Sequence, residues 1–249
     1  MTDKPSVIRE TDDEARNLAR VLMRSARYVA LAVIDPVTGF PSVSRVLLGT
    51  DTDGAAVILV SALSAHTRAL ANDPRVSLLA GEPGRGDPLA HPRLTVQCLA
   101  EPVERDGAEH RRLRERFIAR HPKSKLYIDF ADFTFFRLAP QTASLNGGFG
   151  RAYLLQGDDL RIDATQSGNL AGSENEILRE LMEKMPEAAN AIAFSKCGAK
   201  AGKWTFCGVD AAGIDLICGD LLLRYEFGRL IRTREELLLE ITNTAYPIP

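Results

Sequence analysis

The chain has 249 residues, 26% of them charged, with a formal net charge of −2 and four cysteines. That length suits one large domain or a medium domain with a small companion, and so weak a field excludes a polyanion footprint, leaving a small-molecule ligand as the expected partner and no nucleic acid. Cys98, Cys197, Cys207 and Cys218 form no CxxC pair and sit in apolar, strand-like runs, which predicts reduced thiols and no metal site. No apolar run approaches the roughly 20 residues of a membrane span, and MTDKPSVIRETDDEA lacks a signal-peptide core, so a cytoplasmic protein without membrane contact is expected.

In chain order, Ala15, Leu18, Ala19, Leu22 and Ala26 recur at helical spacing behind Asp12, Asp13 and Glu14, which predicts an amphipathic helix over 10–26. Tyr28–Ile34 and Pro41–Leu48 read as strands joined by the turn Asp35-Pro-Val-Thr-Gly39. Ala55–Ser61 and Val76–Ala80 are further strands, with Ser64 placed to cap a short helix between them. The Gly/Pro-rich loop Gly81–Pro92 delivers the chain into a long strand, Arg93–Val103. Asp106-x-x-Glu109 has capping-box spacing before a helix to about Arg120, whose interleaved arginines and glutamates predict a solvated, salt-bridged face rather than a nucleic-acid patch. Phe133–Leu138 and Arg151–Leu155 read as closing strands. Short strands at hairpin spacing predict an antiparallel barrel.

The character changes after Gln156. Residues 157–172 read as a connection between a barrel domain, 1–156, and a small α+β domain, 173–249. In the latter, Ser173-x-x-Glu176 and Thr233-x-x-Glu236 have capping-box spacing for helices, Pro186–Phe194 reads as a short helix, and Lys203–Val209, Ile214–Cys218 and Leu221–Phe227 read as strands. Cys98, Trp204, Cys207 and Cys218 are expected in the core.

The segment 44–67 gathers phosphate-binding chemistry. Arg45 on one strand can face Ser61, Ser64, His66 and Thr67 on the next turn, where a helix N-terminus adds free N–H groups. Arg45 in a strand can equally pair with a carboxylate, and His66 can be an ordinary surface residue. The run Leu145-Asn-Gly-Gly-Phe-Gly-Arg151 is either a cofactor-facing motif or a hairpin needing positive φ.

Arg45-Val-Leu-Leu, Ser61-x-x-Ser64-x-His66-Thr67 and Asp73-Pro-Arg75-Val resemble the flavin-binding split barrels related to pyridoxamine 5′-phosphate oxidase. Glu82-Pro-Gly-x-Gly-Asp-Pro88, Pro92-Arg-Leu-Thr95 and Leu145-Asn-Gly-Gly-Phe-Gly-Arg151 are similar to the bacterial haem-utilisation (HugZ-type) subgroup. Gly208-Val-Asp210 and Gly213-Ile-Asp-Leu216 are similar to the small domain that follows the barrel there.

The resemblance implies a homodimer of split barrels, an α+β fold with FMN at the subunit interface. Its phosphate would be held by Arg45, Ser61, Ser64 and His66, with Val46 and Thr67 in the same motifs. Arg93 and Gln97 would lie near the flavin ring, and Asn146, Phe149 and Arg151 near the cofactor pocket. Two departures limit the transfer of function. The Trp- and Arg-containing ending of the vitamin B6 oxidases has no counterpart, so that activity is not expected. In the haem-degrading relatives an axial histidine comes from near the C-terminus, whereas the last histidine here is His121, so haem would need another ligand. The first reading is an FMN-dependent oxidoreductase acting on a small molecule. The second is a haem-binding or haem-degrading protein, and the third a flavin or haem carrier; deazaflavins also occur in the superfamily.

Overall fold

The computed structural model describes residues 8–148, 150–163 and 170–247. Nine strands of the first 156 residues form one sheet: β1 (Ile8–Arg9), β2 (Tyr28–Ile34), β3 (Pro41–Leu47), β4 (Gly49–Thr50), β5 (Ala56–Ser61), β6 (Arg75–Ala80), β7 (Arg93–Pro102), β8 (Phe133–Asn146) and β9 (Ala152–Gln156). The order is β1-β9-β8-β7-β6-β2-β3, with β5 pairing both β4 and β8. Apart from the parallel β1–β9 pair, every contact is antiparallel, the topology of a split barrel.

Alternation drives the curl of the sheet. Val29, Leu31 and Val33 of β2, Val76, Leu78 and Ala80 of β6, and Leu94, Val96, Cys98 and Ala100 of β7 all point inward to one core. Helix α1 (Asp13–Ser25) adds Ala15, Ala19 and Met23 to it, and starts where Asp12 accepts a hydrogen bond from Ala15 N at 2.8 Å. Helix α2 (Ala65–Asn72) adds Ala69 and Leu70. Helix α3 (Ala108–Arg120) covers the other face of β5 and β8, where Phe117 meets Phe135 edge-on at 5.5 Å between ring centroids.

Strand β8 continues eight residues beyond the end expected from its sequence. Its first half, Phe133–Leu138, pairs with β5, and its second half, Thr142–Asn146, pairs with β9. Pro140, which has no N–H, is accommodated because the register against β7 shifts there: Gln97 faces Thr142 while Cys98 faces Pro140. The start of α3 also differs. Gly107 is its N-cap and Asp106 has φ +64°, so the expected capping box does not form.

The small domain packs α4 (Leu170–Lys184), α5 (Ala188–Cys197) and α6 (Arg234–Ala245) against a sheet of β10 (Thr205–Asp210), β11 (Gly213–Cys218) and β12 (Leu221–Glu226). Ile177, Leu181, Ile192, Trp204, Phe206, Ile214, Leu216, Leu237 and Ile241 form its core. Cys207 is buried outside this cluster, whereas Cys218 is partly buried and packs against it. The Thr233 cap is as expected, accepting from Glu236 N at 3.2 Å. Helix α4 instead begins three residues before Ser173, whose hydroxyl donates to Leu170 O at 3.4 Å. Gly213 is required by packing, since a Cβ there would stand 2.1 Å from Tyr225 O.

The arginines of α3 correct the expectation of a solvated face. Arg116 and Arg120 are buried against the small domain, together with Arg24 of α1. Glu174, Asp210 and Asp215 neutralise them: Arg116 pairs with Glu174, Arg24 with Asp210, and Arg224 with Asp210 at 2.8 Å and Asp215 at 3.3 Å. Helical spacing cannot reveal that a domain beginning with α4 at Leu170 covers one side of the helix. Burial would raise the Asp210 carboxyl, but Arg224 and Arg24 hold it well below the carboxylate range. Its contribution is therefore full above the unfolded value of about 3.9 and is lost as pH falls toward the lower folded value. Asp210→Ala, which strands two buried guanidiniums, is expected to cost about 3–5 kcal/mol in urea unfolding at neutral pH, and a loss below about 1 kcal/mol would refute this account of the junction.

Candidate functional site

Strand β3 separates the residues singled out from sequence into two groups. Ser44 and Val46 face inward, with Val46 in the core, whereas Arg45 between them is exposed on the outer face. The inner group lies at the start of α2. There His66 Nδ1 is 3.1 Å from Ser44 Oγ, and Thr67 Oγ1 donates to Ser61 O at 2.7 Å. Ser64 is the N-cap by position but makes no side-chain cap bond, and the first turn holds no acid. Ser61, however, donates its hydroxyl to the Asp132 carboxylate at 2.6 Å. Burial lowers the His66 imidazole from its ordinary value, which favours the neutral ring. The turn thus offers hydroxyls and free helix N–H groups next to a carboxylate.

The outer group lies on an open floor of small side chains. Arg45, Ala30, Leu79, Thr95 and Ser144 stand in one row across β3, β2, β6, β7 and β8, and Val43, Ala32, Ser77, Gln97 and Thr142 in the next. The Arg45 guanidinium stacks 4.7 Å above the Tyr28 ring centroid. Glu82 accepts the Tyr28 hydroxyl and holds that phenol above its ordinary value. Gln97 accepts from Thr142 Oγ1 at 2.9 Å. Arg93 sits opposite Asn146, whose amide oxygen accepts from Arg93 Nη2 at 3.1 Å once the amide is oriented to satisfy its neighbours. Among the described residues neither Arg45 nor Arg93 is in a salt bridge, and three strand spacings, about 14 Å, separate their strands.

Arg151 turns away from this floor and pairs with Glu14 of α1 at 2.6 Å, closing the β8–β9 turn through its carbonyl, which accepts from Gly147 N at 2.7 Å. Phe149 lies outside the described residues. Sequence reasoning missed Tyr28, Glu82 and the small residues of the floor, although Ala30 and Ala32 at alternate positions of β2 were a usable signal. Of the imidazoles, His110 and His121 are enclosed; burial pushes His121 down to about 4, and its Nε2 is 2.8 Å from Leu48 O. His66 and His91 remain reachable, the latter with Nε2 bonded to Arg85 O at 3.0 Å. Cys98 is a core thiol that burial pushes up to about 12. Among the described residues, every arginine lining a cleft of about 990 Å³ between α1 and the small domain is already paired: Arg16 with Asp159 at 2.7 Å, Arg20 with Glu226 at 3.3 Å, Arg161 with Asp53 at 2.6 Å and Arg229 with Glu240 at 3.0 Å.

The family model for pyridoxamine 5′-phosphate oxidase matches residues 15–147, more than half of the chain. The chloroplast haem oxygenase HOZ of Arabidopsis thaliana is 32% identical over 120 residues, which are 48% of this chain and 36% of that protein, so the chain spans about a third of that relative. Haem oxygenase HutZ of Vibrio cholerae is 33% identical over 136 residues, 52% of this chain and 74% of HutZ. Among solved structures, the Agrobacterium tumefaciens protein Atu2129, of unknown function, superposes with a TM-score of 0.82 at 29% identity, covering 94% of this chain and 96% of that one. A haem-binding protein from Mycobacterium smegmatis superposes with a TM-score of 0.55 at 25% identity over 97% of both chains. With the inward-alternating sheet and the divided strand β8, these matches establish that the chain belongs to the pyridoxamine 5′-phosphate oxidase-like split-barrel family, in its HutZ-type subgroup.

Proposed function

We propose that the protein binds and degrades haem, held on the outer face of β2, β6, β7 and β8 and covered by the same face of a second copy. The observation that carries this reading is the pair Arg45 and Arg93, unpaired with any described carboxylate and flanking a floor of small side chains. A flat apolar macrocycle needs a floor without protruding side chains, and its two carboxylates need cations at the rim. Ala30, Ala32, Ser77 and Thr95 supply the low part of the floor, with Leu79 standing between Ala30 and Thr95 as an apolar contact for the macrocycle; Arg45 and Arg93 supply the cations, and Val43 offers exposed apolar surface for the partner copy. Bound haem is both redox centre and oxidised substrate; the protein orients it and limits water. His91, two residues before Arg93, is the exposed imidazole at the edge of this face, whereas His66 belongs with Ser44 on the opposite one. The haem-directed names of HOZ, HutZ and the M. smegmatis protein support the same choice.

Hemin titration tests this directly. A Soret band that saturates stoichiometrically is expected, and Arg45→Ala and Arg93→Ala should each weaken binding roughly ten- to a hundredfold, the worth of one charge-assisted contact. Free-hemin spectra at all protein concentrations would refute the reading. Sedimentation should give twice the 27.2 kDa chain mass, and Ala32→Glu, which places a carboxylate in the middle of the shared face, should leave a monomer with little hemin affinity.

FMN is the second reading, favoured by the acid-free start of α2 and the uncommitted Ser64 hydroxyl. It makes the opposite demand on His66. A phosphate dianion beside the ring would raise its pKa from a value that burial places below the free-imidazole 6.5. Binding would then favour low pH and weaken as pH rises through the raised value. NMR titration of His66 with and without FMN separates the two readings: the haem reading expects a midpoint below about 6.5 that FMN does not move.

A further inference from the structure

The corner that ends β3 is held from α3 by three side chains. Arg120 Nε donates to Leu48 O at 2.9 Å, His121 Nε2 approaches the same oxygen at 2.8 Å, and Arg116 Nε donates to Thr50 O at 2.9 Å. Gly49 completes the contact, since a Cβ there would stand 2.8 Å from the Phe117 ring. This corner follows Arg45 by three residues. It matters more than a corner elsewhere would, because among the described residues β3 is an edge strand whose ladder runs to β2 alone.

The same two guanidiniums reach the small domain with their other nitrogens. Arg116 Nη1 pairs with Glu174 and donates to Val209 O at 3.2 Å, and its Nη2 is 3.8 Å from Asp215. Arg120 Nη1 is 4.0 Å from the same Asp215 carboxylate. Glu174 is fixed in turn by accepting from Val209 N at 2.9 Å. A guanidinium is a rigid planar fork, so carboxylates that hold one edge also aim the other.

We propose that the small domain positions the ligand-facing strand of the barrel, with Arg116 and Arg120 as positioning residues that transmit the placement of Glu174 and Asp215 to the Leu48–Thr50 corner and so to Arg45. The proposal rests on Arg45 contacting the bound ligand. It assigns the small domain a role in binding without a residue at the site. A guanidinium released from Glu174 turns toward other acceptors and frees the Thr50 carbonyl. The end of an edge strand then loses its second anchor.

The test uses the full chain with Glu174→Gln, which keeps an acceptor for Val209 N and removes the charge. Asp215→Asn is the milder second variant, so the question stays answerable should the first not fold. Leu181→Ala, in the small-domain core and away from the arginines, serves as control for general destabilisation. Hydrogen exchange under native conditions should show the amides of residues 44–50 at least tenfold faster in both charge variants, with those of β9 unchanged, and hemin affinity three- to tenfold weaker. Arg116→Lys should reproduce both changes, because an ammonium cannot bridge both sides. Equal exchange at 44–50 in Glu174→Gln, Asp215→Asn and Leu181→Ala would overturn the proposal. Wild-type protein that fails to bind hemin would instead overturn the haem reading, while the exchange comparison still decides the clamp.

Discussion

The barrel depends on the hydrogen-bond demand of β8. Buried backbone donors and acceptors must be paired, and β8 meets that demand with three partners: β7 along its length, β5 on its first half and β9 on its second. The change of partner at Pro140 is what splits the sheet. Before it the outer face is roofed by α3; beyond it the face stays open, and the rows that hold Arg45, Gln97 and Arg93 lie on that open part. The candidate site is therefore a by-product of how one strand shares its bonds.

Local physics made most of the elements legible. Strand β2 was readable to the residue because Val29, Leu31 and Val33 alternate between two turn signals, and α1 because Asp12 and its apolar stripe agree. The two largest misreadings have distant causes. Pro140 normally argues against a central strand, and only the β7 register shift, forty residues upstream, makes room for it. Arg116 and Arg120 look like any solvated helix charges until Glu174 and Asp215 arrive from the other domain.

The candidate site shows the same division. The grouping of Ser61, Ser64, His66 and Thr67 follows from one turn and one helix start, so adjacency in sequence became adjacency in space. Arg45 did not join them, for a reason open to simple counting: Val46 is apolar and inward, so its neighbour must point out. What could not be counted was Asp132, which reaches Ser61 across the β5–β8 pair and places a negative charge where a phosphate was expected. Nor does any local pattern announce that Arg45 would rest on Tyr28 rather than on an acid.

The buried cluster at the domain junction also bears on synthesis. All residues of the barrel leave the ribosome before Glu174, Asp210 and Asp215 do, yet Arg24, Arg116 and Arg120 occupy enclosed positions in the finished protein. At about 5–20 residues per second, the stretch beyond residue 156 takes roughly 5–20 s to translate. Over that interval the nascent barrel carries three guanidiniums that must stay hydrated, and the seam of α1 and α3 stays open around them. Closure is a late event, triggered by the arrival of the carboxylates. The barrel, made first, is thus finished only by the domain that follows it.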